Sequence, residues 1–62
     1  MTPEQREAEL LKLLADHKVH EMRDVCGLDD TCSALEWDRI AERLKHRQVV
    51  EYGKTTGTIR LV

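Results

Sequence analysis

The sequence predicts an α+β domain, three short helices followed by a C-terminal β-hairpin, and three observations carry that prediction. Trp37, Ile40, Ala41 and Leu44 recur at i, i+3, i+4 and i+7, the spacing that gives a helix one apolar stripe. After Gln48 the pattern changes to a period of two, and Gly53 and Gly57 bracket a loop between two β-rich segments. Everything upstream is short and reads as helical. The 62 residues leave room for one domain, 1–62, with no repeat, low-complexity stretch or linker.

The first helix starts at Thr2, Pro3 and Gln5. Thr2 can cap, Pro3 suits the first helical position, and Gln5 stands where a side chain reaches back to the cap. Glu4 and Glu7 face the positive end of the helix dipole. The helix runs to about Ala15 or His17, burying Leu10, Leu11 and Leu14 with help from Leu13, and leaving Arg6, Glu9, Lys12 and Asp16 wet. A short extended piece around Lys18, Val19 and His20 can pair with the edge of the hairpin. The second helix spans roughly Glu21 to Cys26, with Met22, Val25 and Cys26 inward, and ends at Gly27 as a left-handed closing residue. Leu28 anchors the turn that Asp29, Asp30 and Thr31 form.

Ser33 and Glu36 have the spacing of a capping box, which starts the third helix near Ala34, although Asp30 or Thr31 could begin it a turn earlier, and it ends near His46 or Arg47. Lys45, His46 and Arg47 then offset the negative end of its dipole. Val49 to Tyr52 and Thr58 to Val62 form the hairpin strands, with permissive glycines at both ends of the loop.

Composition excludes several function classes. The chain is 40% hydrophobic and 35% charged, as a globular domain requires, and Trp37 and Tyr52 are its only aromatics, too few for a binder that stacks single-stranded bases. No apolar run approaches the ~20 residues needed to cross a bilayer, and no signal peptide opens the chain, so the expectation is a cytoplasmic protein without a membrane partner. Net charge is −2, unevenly spread: residues 1–30 hold four Lys/Arg against eight Asp/Glu, residues 31–62 six against four. A mildly basic second half on an acidic support is compatible with a polyanion binding there.

On the third helix, Leu35, Arg39, Glu42, Arg43 and His46 fall opposite the apolar stripe. If this face enters a major groove, Arg39 and Arg43 can reach base edges, guanine being the preferred bidentate partner. Thr31 and Ser33 near the helix start can contact phosphate, Lys54, Thr55 and Thr56 place a charge and two hydroxyls at the hairpin tip, and Arg60 can add a contact from the strand. The competing reading is a mixed-charge solvated face, with Glu36, Asp38 and Glu42 interleaved. Leu35 can meet a thymine methyl, mark a protein interface, or turn inward if the helix begins late.

The order helix, short strand, helix, turn, helix, two-stranded wing, and the stretch AERLKHRQVVEYGKTTGTIRLV in particular, resembles the winged helix-turn-helix domains of the MarR-like and ArsR-like regulators. In those, a leucine, two or three polar residues, a glycine and two apolar residues join the recognition helix to the wing. Leu44 to Val50 occupy that segment here, with Gln48 where glycine is usual, and the stretch from Gly27 to Leu44 is about one helical turn longer than typical. The resemblance implies a domain that binds double-stranded DNA in transcriptional or mobile-element regulation, with residues 34–46 in the major groove and the 53–57 wing on the backbone or minor groove. The larger regulators carry extra helices for dimerisation or ligand sensing, and this chain stops at the wing, so the expectation is a monomer or weak dimer. A protein-interaction module that kept the fold and lost the DNA surface is the alternative.

His17, His20, Cys26 and Cys32 supply zinc-ligand chemistry, but their spacing matches no usual finger pattern. Zinc binding and a Cys26–Cys32 redox switch are therefore secondary to packing. No phosphate loop, nucleophile elbow or paired-carboxylate motif appears, so neither an enzyme nor a cofactor is expected.

Overall fold

Thr2 and Gln5 satisfy each other at the chain start. The Thr2 hydroxyl accepts from the Gln5 amide at 3.2 Å, and the Gln5 side chain accepts from the Thr2 amide at 2.8 Å. The computed structural model, which describes residues 1–55 and 57–62, places α1 at Pro3–Leu13, followed by a 3-10 turn at Leu14–Asp16. His17 closes that turn in the left-handed region, φ 60°. The Asp16 carboxylate accepts from the Lys18 amide at 2.9 Å, and β1 forms just after it, at His20–Glu21.

Helix α2 is a short run, Met22–Cys26. Gly27 does not close it in the left-handed region: its φ is −71°, and the chain stays in right-handed turns, with Leu28 N donating to Val25 O. Asp29 then organises the next turn by accepting from both the amide and the hydroxyl of Thr31.

Helix α3 spans Ala34–His46, as its periodicity and caps predict. Only half of its capping box forms. Ser33 Oγ accepts from the Glu36 amide at 3.2 Å, but Glu36 Oε2 turns to Arg6 at 3.1 Å and to the Cys32 thiol. The helix ends in a double closure: Gln48 N donates to Lys45 O at 2.9 Å and Val49 N to Leu44 O at 3.0 Å. That closure requires a left-handed residue, and Gln48 supplies it at φ 61°.

Strands β2 (Val50–Tyr52) and β3 (Thr58–Leu61) pair antiparallel, Val50 opposite Leu61 and Tyr52 opposite Ile59. Strand β1 adds to the other edge of β3, giving the order β1-β3-β2. The two loop glycines serve different needs. Gly57 takes φ 82°, whereas Gly53 has no positive φ and is required by space, since a Cβ there would lie 2.2 Å from Thr58 Oγ1.

Helices and sheet meet in one core: Leu10 and Leu14 below α1, Val25 from α2, Trp37, Ile40, Ala41 and Leu44 from α3, and Val50 and Ile59 from the sheet, with Cys32 at its margin. Each large side chain fully withdrawn from water contributes about 1.5–3 kcal/mol, so a domain of this size depends on every one of them. The Trp37 indole N–H has no acceptor among the described residues. Arg6, expected on the wet face of α1, is instead drawn inward: Nε meets Asp29 Oδ2 at 3.0 Å and Nη1 meets Glu36 Oε2 at 3.1 Å, which ties α1 to the turn and to α3.

Candidate functional site

Because α3 commits its apolar stripe to the core, its opposite side is left to solvent along the whole helix. Leu35, Arg39, Glu42, Arg43 and His46 are all exposed there, Leu35 by 60%. Arg39 and Arg43 line a shallow cleft of about 280 Å³ together with Pro3, Arg6, Glu36 and Ile40. Arg6 is thus a third guanidinium at this cleft, which sequence reasoning missed because its partners lie 23 and 30 residues away. The Asp29 hydrogen bond raises the Arg6 pKa further, so its charge is fixed in place.

The remaining predicted contact residues divide into two groups. Near the start of α3, the Thr31 hydroxyl already donates to Asp29 at 2.6 Å, so its proton is not available to a phosphate. Ser33 Oγ accepts from Glu36 N and keeps its own proton free to donate. At the far end, His46 Nε2 lies 3.8 Å from Glu42 Oε2. The hairpin carries the second group. Lys54, Thr55 and Arg60 line one hollow of about 490 Å³, distinct from the Arg39–Arg43 cleft. Arg60 is paired across the strands with Glu51, and the Thr55 carbonyl accepts from the Thr58 hydroxyl at 2.7 Å. Thr56, also a predicted contact, lies outside the described residues.

Between α3 and the hairpin runs a further groove, of about 410 Å³, lined by Met22, Asp38, Glu42 and Tyr52 and by the base of the β2–β3 loop. The Tyr52 phenol donates to Glu42 Oε1 at 3.0 Å, and Lys45 Nζ sits 4.8 Å from the ring centroid. Burial, then the Glu42 hydrogen bond, push the Tyr52 pKa up to about 12, with the charges of Glu42 and Asp38 adding to the effect. The sequence signal for this groove was the i, i+4 spacing of Asp38 and Glu42 on the flank nearest the hairpin.

The cysteines lack the setting of a reactive pair. Both are free, and burial followed by the hydrogen bond to Glu36 raises the Cys32 thiol pKa, which disfavours the thiolate. Among the described residues, no group of three or more His, Cys, Asp or Glu side chains is placed to hold a metal. No helix among them is long and apolar enough to cross a membrane.

Compared with known proteins, the chain matches no family model, no curated protein and no solved structure.

Proposed function

We propose that this chain is a winged helix-turn-helix domain that binds double-stranded DNA in transcriptional or mobile-element regulation. In this reading, α3 enters the major groove and the loop between β2 and β3 acts as the wing on the backbone. The chain order and the β1-β3-β2 sheet support the architecture, as does the left-handed Gln48 at the junction where the resembling regulators place glycine.

One observation carries the DNA reading. Four of the six arginines, Arg6, Arg23, Arg47 and Arg60, are paired with carboxylates. Arg39 and Arg43, neighbours on the outer face of α3, have no ion-pair partner among the described residues. Guanidinium groups left free on an exposed helix face are the groups a polyanion needs. The cleft they line also holds Arg6, whose charge is balanced by Asp29 and Glu36, so the uncompensated guanidinium groups there are Arg39 and Arg43.

Titrating random-sequence duplex DNA into isotope-labelled protein at several salt concentrations tests this. Amides of residues 31–47 and 53–58 shift, and affinity falls steeply as salt rises. Absence of binding at low salt removes the DNA reading. The protein-interaction alternative then leads, favoured by Leu35, a large apolar side chain 60% exposed in the first turn of the same helix.

A further inference from the structure

Among the described residues, Leu35 is the one large exposed apolar side chain of α3. Ser33 Oγ caps the helix through the Glu36 amide at 3.2 Å, so Leu35 is its second residue, turned to solvent and 60% exposed. The other exposed large hydrophobic residues lie elsewhere: Met1 precedes α1, Val19 precedes β1, Tyr52 belongs to β2 and Val62 follows β3. A leucine that no neighbour on its helix extends into a patch gives a protein partner little to bury. Its neighbours along the outer face are instead Arg39, one turn on and about 40° around the helix, and then Arg43. Neither arginine has an ion-pair partner among the described residues. Asp38 is also close in sequence, but it lines the groove toward Tyr52 and the hairpin.

We propose that Leu35 reads the 5-methyl group of a thymine in duplex DNA, beside a guanine contacted by Arg39. The inference rests on α3 entering the major groove. There only thymine presents a methyl group, an apolar feature that an aliphatic side chain matches and a charged one does not. Helices that read this groove contact base edges with their N-terminal residues, and Leu35 stands in the first turn of α3. Four residues of helix advance about 6 Å, less than two base-pair steps of about 3.4 Å, so Leu35 and Arg39 meet base pairs close together in the duplex. The free guanidinium groups supply the attraction for the phosphate-bearing partner, and Leu35, having no charge, adds sequence preference alone.

The test enriches a random duplex pool on the full parent chain and copies it with either thymidine or deoxyuridine, which pairs identically and lacks only the methyl group. In fluorescence anisotropy titrations the parent binds the thymine copy about fourfold more tightly, the weight of one buried methyl. Leu35→Ala binds both copies alike, at about the parent's affinity for the uracil copy, and keeps the parent's salt slope because no charge has changed. Leu35→Met, which retains the apolar reach, restores the preference. Both variants keep the parent's unfolding midpoint, since the side chain replaced is exposed. Equal binding of the two copies by the parent overturns the proposal, as does a thymine preference that survives in the folded Leu35→Ala variant. Salt-dependent binding of both copies in either case leaves the DNA reading standing, whereas no binding to either copy at low salt removes both readings.

Discussion

Replacing Gln48 by glycine isolates the junction between α3 and β2. The double hydrogen-bond closure at Lys45 and Leu44 forces residue 48 into the left-handed region, and Gln48 holds φ 61° there. A left-handed conformation costs an L-residue with a Cβ roughly 1–2 kcal/mol, and glycine nothing. Glycine loses more backbone freedom on folding, an offset of about 0.5–1 kcal/mol. The Gln48 side chain is exposed and makes no hydrogen bond among the described residues, so no contact is lost. Gln48→Gly therefore stabilises the domain by a net ~0.5–1 kcal/mol. For a chain of this length that raises Tm by about 2–8 °C. Urea unfolding followed by Trp37 fluorescence reads it as a higher midpoint with unchanged m. Gln48→Val, β-branched at a positive φ, moves the midpoint the other way. A glycine variant less stable than the parent, with m unchanged, refutes the left-handed closure.

Three other outcomes follow from the geometry. Trp37→Ala removes the largest fully buried side chain and loses about 3–5 kcal/mol, whereas Trp37→Phe loses much less, because the indole N–H has no acceptor among the described residues to forfeit; equal losses in denaturant melts would contradict this. The Thr31 hydroxyl, then Arg6, hold the folded Asp29 carboxyl at about 2, below its ordinary value of 3.8. A depressed folded pKa means that Asp29 stabilises fully above the unfolded value and loses that contribution as pH falls from about 4 through about 2. Asp29→Asn accordingly lowers Tm at neutral pH and flattens the acid limb of the stability profile, and an unaltered limb would show that Asp29 is not the group titrating. Neutralising the acidic flank of α3 with Asp38→Asn/Glu42→Gln strengthens duplex binding by about two- to tenfold at low salt; weaker binding in a fluorescence anisotropy titration would place those carboxylates among the contacts.

What was legible in the sequence was whatever depends on neighbours within one turn. The span of α3 followed from the period of Trp37, Ile40, Ala41 and Leu44 and from Ser33, and the helix start followed from Thr2, Pro3 and Gln5. Gly57 at a positive φ followed from residue type. Residue type misled at Gly27, which stays right-handed, and at Gln48, where a glutamine does what the resembling domains assign to glycine. Arg6 was illegible for a different reason. Its period placed it on the wet face of α1, and only the return of the chain at Asp29 and Glu36 supplied the charges that draw it in. The same holds for the groove: Asp38 and Glu42 were readable as a charged flank, but Tyr52 and Met22 reach it only once the hairpin folds back against α3 and α2.

The most direct test of the central claim is the salt dependence of duplex binding for Arg39→Ala/Arg43→Ala beside the parent chain. Both side chains are exposed and without ion-pair partners among the described residues, so the variant keeps its unfolding midpoint. If each arginine neutralises one phosphate, the slope of log binding constant against log salt becomes shallower by about 1.8, and affinity at low salt falls with it. A folded double variant that binds duplex DNA with the parent's affinity and slope would contradict the assignment of this face to DNA.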